Sequence, residues 1–500
     1  ALSLAISLVA TMTHEPWIDE IYAWQISKFS VPDIFYEMRY EGHFALWSLL
    51  LYPFSHLGLP MKVLGGISWV INALALVYFV RKAPFGVWTK TLVLFTSAFL
   101  YLNPAVARCY VLIPAILFPM ASLFSKISAF AYNPGDVGNA FVSAGILLAL
   151  IANTHVYSEG FALIYGAVML SSALRAWTRS PKADRIKCVV GLAIGIIGAL
   201  VAVLQVAPSL THSSVFTKND LQFSLSNLKN LGGFFIGAGI TDRRAMVLVA
   251  ALYILTSIYL FKKDFQSLLI LLVSNIYMAL VCVFIYGAGV PNRAVMWFYF
   301  IIFSLWITHE RLYGQVGVQQ QVALHHDEGI LIGKSRTHAI PSVVLALFSL
   351  FLLQPGKNVL DFKGLYSGES RFAYFIGKNI PDTERFFCNP NSWTCAIMEY
   401  LPGYKFYNVK DSKPLIPRAD REGLDDEHSV QYLYDIFDNN LDKDFIYIID
   451  SDIHNGKTNF IERNALPFHY EILYPQNEEQ RDYFIQYFLI RVSRPTGGTE

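Results

Sequence analysis

Apolar residues along this chain come in long blocks, not at the spacing of a water-facing core. Blocks recur at 1–12, 59–80, 90–106, 110–125, 139–153, 158–174, 188–207, 244–261, 267–286, 294–308 and 339–355. A spanning helix needs about 17–25 predominantly apolar residues, so the pattern predicts eleven membrane spans. Several are short, and the first is truncated, because Ala1 already lies inside an apolar run. After residue 355 the apolar runs shrink to strand length, as in Phe445–Ile449 and Tyr483–Ile490, with a helix-like stretch at Val430–Phe437. Alternating short strands and helices predict a small α/β domain. The expected fold class is therefore mainly α, a polytopic helical bundle over 1–355, followed by a soluble α/β domain over 356–500. No internal repeat is visible.

Composition agrees. The chain is 54% apolar and 15% charged, against about 25% charged in soluble proteins. Its 37 Phe, 28 Tyr and 9 Trp suit many helix ends at membrane interfaces. A net charge of +1 points away from a nucleic-acid partner. Fourteen Lys and Arg fall in the loops on one side of the eleven spans and nine in the longer loops on the other. The excess marks the cytoplasmic side, which puts the loop 13–58 and the C-terminal domain on the extracytoplasmic side. There Cys388 and Cys395 either form a disulfide or remain thiols. Cys109, Cys188 and Cys282 lie in or beside apolar segments, and no zinc-type spacing occurs.

The loop after the first span holds the densest chemistry. It reads His14-Glu-Pro-Trp-Ile-Asp-Glu20 and then Arg39-Tyr-Glu-Gly-His-Phe-Ala-Leu-Trp47. Pro16 followed by Asp19 and Glu20 starts a helix with its acids in the first turn, where the helix dipole favours them. Ile21, Trp24, Gln25 and Lys28 are spaced for an interfacial amphipathic helix, and a second is expected over 44–57. The acids are either caps or chemistry. Other ionisable groups fall at outward helix ends: Arg39, Glu41 and His43 in the loop, Arg108, Asn153 with His155, and Arg293. Such groups are costly at membrane depth and usually functional. Each also has a plainer reading, as a snorkelling arginine or a helix-end polar cap. Glu41 and His43 are candidate ligands of a divalent metal ion. His325-His326-Asp327-Glu328 reads as a solvated linker and Asp425–Glu427 as a surface loop.

With these motifs, and with Ala107-Arg-Cys-Tyr110, Ala152-Asn-Thr-His155, Tyr286-Gly-Ala-Gly-Val-Pro-Asn-Arg293 and Asp361 with Tyr366-Ser-Gly368, the chain resembles the GT-C glycosyltransferases. The nearest branch is the bacterial one related to protein O-mannosyltransferases and aminoarabinose transferases. Within that branch the chain is similar to a bacterial family that commonly has His-Pro where this chain has His43-Phe44, and Arg-His where it has Arg293-Ala294. The resemblance implies an enzyme of the bacterial cytoplasmic membrane with its site on the outer face. It implies a polyprenyl-phosphate-linked sugar as donor and a hydroxyl on a glycan, lipid or protein as acceptor. Attack at the anomeric carbon needs a base for the hydroxyl proton; Asp19 is the first candidate, with Glu20 second or orienting the acceptor. The leaving phosphate needs positive charge, for which Arg293 is the first candidate, supported by Arg108 and His155. A base on one face and the leaving group on the other imply inversion. A flippase or other transporter would show internal pseudo-symmetry, which is not visible. An O-antigen polymerase or ligase would carry its Arg and His in large later outward loops, and 208–243 has no such cluster.

Overall fold

The computed structural model describes residues 1–41, 43–130, 138–206, 240, 242–284, 293, 295–314, 340–353, 368–389, 394–417, 429–440, 442–453, 458–477 and 485–493. The 325–328 and 425–427 runs, motif residues 286–292, Asp361, Tyr366 and Ser367, and nearly all of the 208–243 loop lie outside these. So do the side chains of Arg39 and Glu41. The chain divides into two compact units: Ala1–Met12, Met38–Trp47 and Leu64–Lys357 form the first, and Thr13–Glu37, Ser48–Val63 and Asn358–Glu500 the second. Most of the first loop, expected with the membrane helices, thus clusters with the C-terminal residues.

The first unit is a helical bundle. Six helical stretches are long and apolar enough to cross a membrane: Val63–Lys82, Cys109–Ser128, Val156–Arg179, Lys182–Gln205, Arg243–Lys263 and Phe265–Cys282. The other five expected spans are helical over shorter lengths. They are α1 (Leu2–Thr13), α6 (Val87–Leu94, followed by a π-helical turn Ala98–Leu102), α8 (Gly138–Ala152), α13 (Met296–His309) and α14 (Ile340–Phe351). Every residue of α13 is buried, as expected of a helix that is apolar all round and fills a bundle interior. By contrast, Ile196, Ile197, Leu200 and Leu204 on α10 (Lys182–Val206) are exposed, as are Val247, Leu248 and Leu255 on α11 (Arg243–Lys263). Such faces require lipid, and the chain is an integral membrane protein.

Helices α8 and α10 pack most closely, and glycine is the reason. A Cβ on Gly145 would stand 2.0 Å from the Gly191 carbonyl oxygen, and one on Gly191 would stand 2.3 Å from that of Phe141. Between membrane helices small residues permit the close backbone approach on which association rests. Gly191→Val is expected to lower the thermal midpoint of the purified protein in detergent by several degrees, read by loss of the folded fraction on heating.

The second unit is built on a five-stranded sheet of order β2-β1-β3-β5-β4. Its strands are β1 (Arg385–Cys388), β2 (Lys405–Asn408), β3 (Phe445–Ile453), β4 (His469–Tyr474) and β5 (Ile485–Ser493). The first three run parallel, and β5 pairs antiparallel with β3 and β4. Helix α16 (Ser429–Asp438) buries Leu433, Ile436 and Phe437, spaced three and four apart, in a core shared with Ile446, Ile448 and Ile490.

The first-loop helix α2 (Ile18–Ile26) belongs to this unit. Gln25 donates to the Cys395 carbonyl at 2.8 Å, and the Lys28 ammonium meets Glu399 at 2.6 Å. Glu15 accepts from the backbone N–H of Ser370 at 3.3 Å and from its hydroxyl. Ile21, Trp24 and Gln25 are buried, so the stripe that their spacing makes packs on protein. The second expected helix appears as α4 (Leu46–His56), where Ser55 donates to the Ser27 carbonyl at 2.8 Å.

Asp450 pins the sheet. It is fully buried, accepting from Asn389 at 2.9 Å, from the Phe460 backbone N–H at 2.7 Å and from Arg463 at 2.9 Å. Burial pushes its carboxyl above the usual range even beside Arg463. Asp450→Ala is expected to destabilise this unit by about 3 kcal/mol, because each orphaned buried donor costs about 1–3 kcal/mol, measurable as a lower denaturant midpoint. Cys388 and Cys395 are both buried thiols, not a disulfide. The Cys395 Sγ lies 3.9 Å from the Ile416 carbonyl oxygen, and burial raises the Cys388 thiol well above its ordinary value.

Candidate active site

In the first unit four of the sequence-selected residues come together. His43 and His155 face each other across a single antiparallel bridge, their rings 4.9 Å apart and edge to face. Arg108 donates to His43 Nε2 at 2.8 Å. A guanidinium cannot accept, so that nitrogen carries a lone pair and His43 is neutral. Arg293 Nε donates to the Tyr110 hydroxyl at 3.1 Å, and His155 Nε2 lies 3.3 Å from the same oxygen. Arg108 and His155 are buried, and Arg293 is half-buried.

Local sequence sets these positions. His155 is the extended N-cap of the 3-10 turn Val156–Ser158, and its Nδ1 accepts the Tyr157 N–H at 3.1 Å. Thr154 Oγ1 and Ser158 Oγ meet at 2.9 Å, and each donates to the Ile151 carbonyl. Arg108 is the extended residue that opens the turn Cys109–Val111. Behind His43, Gln205 accepts the Ala45 N–H at 2.8 Å and donates to Asn153, which bonds the Gly198 carbonyl across α8 and α10. Asn153 therefore braces α8 against α10.

Burial holds His155 well below the ordinary imidazole value, with His43, Arg293 and Arg108 adding in that direction. The cluster thus carries two fixed guanidinium charges beside two neutral imidazoles. That arrangement suits an anion. His43 had been a candidate metal ligand, and its Nε2 is occupied by Arg108. Among the described residues no group of three His, Cys, Asp or Glu is placed to hold a metal.

The acid pair lies in the second unit, and its two members differ. Glu20 is 1% exposed, 2.7 Å from His14 Nε2, and it turns back to accept the Trp17 N–H at 3.2 Å. It is the capping carboxylate of α2, and burial ties it down. Asp19, one residue earlier in the first turn, is half-buried. Tyr400, near Glu369, Glu15, Glu20 and Glu399, has its phenol raised by burial first and by those carboxylates second.

Sequence reasoning missed Tyr110 as a site residue. It was visible only as the end of Ala107-Arg-Cys-Tyr110, one of 28 tyrosines, and nothing local marks the hydroxyl that Arg293 and His155 share.

No protein-family model matches the chain, and no curated protein matches it by sequence. Solved structures do. ArnT from Cupriavidus metallidurans bound to undecaprenyl phosphate aligns with a TM-score of 0.52 and 11% identity, over 98% of this chain and 96% of that one. The apo state of the same protein aligns at 0.51 and 11%, over 98% and 97%. The apo oligosaccharyltransferase of Archaeoglobus fulgidus aligns at 0.41 and 11%, over 90% and 69%. Alignment with ArnT over nearly the whole of both chains means that this protein shares the fold of ArnT.

Proposed function

We propose that the chain is an inverting glycosyltransferase of the bacterial inner membrane. It moves a sugar from a polyprenyl-phosphate donor to an acceptor hydroxyl on the extracytoplasmic face. The observation that carries this reading is the pair of guanidiniums, buried Arg108 and half-buried Arg293, held by neutral His43 and by Tyr110 beside His155 in a membrane bundle. ArnT, whose fold the chain shares, binds undecaprenyl phosphate.

The charge balance fits such a donor. A sugar linked to a lipid monophosphate is a diester with one negative charge. As the anomeric C–O bond breaks, the phosphate keeps the electron pair and becomes a monoester with a second charge. Arg108 and Arg293 are fixed before reaction, so they favour the later, more anionic state, which is where stabilisation accelerates a reaction. No strong acid is needed for such a leaving group. Asp19 is the candidate base for the acceptor proton as the hydroxyl oxygen bonds the anomeric carbon. Glu20, already committed to His14 and Trp17, holds the helix that carries Asp19. Arg39 and Glu41 remain candidates for contact with substrate or a divalent metal ion.

The test is lipid binding by the purified protein in nanodiscs, comparing undecaprenyl phosphate with undecaprenol. Wild type is expected to prefer the phosphate, and the Arg108→Gln/Arg293→Gln double variant to lose that preference. Equal affinity of wild type for both lipids would contradict the reading.

A further inference from the structure

The Tyr110 side chain is 2% exposed, and its hydroxyl oxygen receives two hydrogen bonds. One comes from Arg293 Nε at 3.1 Å. The second follows from the histidine tautomer. His155 Nδ1 already accepts the Tyr157 N–H at 3.1 Å, so the neutral ring carries its proton on Nε2. That nitrogen, 3.3 Å from the Tyr110 oxygen, must donate. Both lone pairs of the phenol are then engaged. Its one proton points elsewhere, and no acceptor for it occurs among the described residues. An oxygen that accepts from a guanidinium and an imidazole is also polarised into a stronger donor. Between Arg108 and Arg293 the acceptor favoured by the local charge is an anion.

We infer that Tyr110 is a third donor to the lipid phosphate, its hydroxyl proton aimed at a phosphate oxygen while its lone pairs fix Arg293 and His155. This rests on the reading of the cluster as the phosphate site. Tyr110 is thereby a specificity residue, selecting phosphate over alcohol at the lipid head. Because the leaving monoester is more anionic than the donor diester, the contact strengthens as the bond breaks.

The experiment is Tyr110→Phe in the full chain, in nanodiscs, with undecaprenyl phosphate and undecaprenol as probes. A hydrogen bond to a charged group carries about 1.5–3 kcal/mol. Affinity for the phosphate lipid is therefore expected to fall roughly 10- to 100-fold while that for the alcohol is unchanged, with the thermal transition kept. In turnover, kcat falls more than the donor KM rises. A Phe variant that discriminates as well as wild type, or that weakens both lipids alike, overturns the inference. A wild type without phosphate preference removes the phosphate reading and this inference with it, and is distinguishable because it needs no variant. If Tyr110→Phe does not fold, Tyr110→His, which restores a ring N–H donor, decides: it is expected to keep part of the preference, and loss of all preference overturns the proposal.

Discussion

Asp19→Asn is expected to lower sugar transfer by about 100- to 10,000-fold, the range for removal of a positioned general base, with donor affinity and the thermal transition unchanged. The substitution is isosteric. It removes a first-turn charge on α2, worth about 0.3–1 kcal/mol. Glu20→Gln should do the reverse. It removes the charge from the contact with His14 and weakens the acceptance of the Trp17 N–H, so it is expected to cost about 1–2 kcal/mol of stability with a smaller loss of rate. The pair of variants separates base from cap. If Asp19→Asn loses stability and keeps its rate, Asp19 is the cap and the base lies elsewhere.

The second large effect belongs to Arg293. Arg293→Gln should lower kcat by about 100- to 1,000-fold, the scale for losing one preorganised donor at developing charge. Arg293→Lys keeps the charge but loses both the planar fork and the Nε–H directed at Tyr110, so it should recover only part of the rate. A snorkelling arginine would give the opposite result, with lysine as good as arginine and glutamine costing little. Single-turnover kinetics with a labelled donor distinguish the two.

Much of this was legible in the sequence. Hydropathy located helices in every expected block, because a segment facing lipid or the interior of a bundle must be apolar for most of its length. It did not separate the two environments. Met296–His309 reads like a span and is wholly buried, while α6 ends in a bend and a π-helical turn inside one expected span. Strands β3 and β5 and helix α16 fell close to their expected bounds, since short apolar runs between polar stretches leave few alternatives. His43, Arg108, His155 and Arg293 could be selected one by one, as polar groups at the ends of apolar helices are costly. Their mutual contacts could not, because those depend on a tautomer and on one phenol. Nor could the attachment of α2 to the C-terminal residues, which rests on pairings such as Gln25 with Cys395 that no local pattern encodes. Glu20 as a cap was hidden by Trp17 at the N-cap, where a capping box ordinarily shows Ser or Thr.

The central claim is tested most directly by incubating the purified wild-type protein in lipid with radiolabelled polyprenyl-phosphate sugars and membrane extract as acceptor. The account predicts that one donor is consumed, with label appearing in the extract and free polyprenyl phosphate accumulating in step. If no donor is consumed while donor lipid moves between leaflets, the protein is a transporter and the account is wrong.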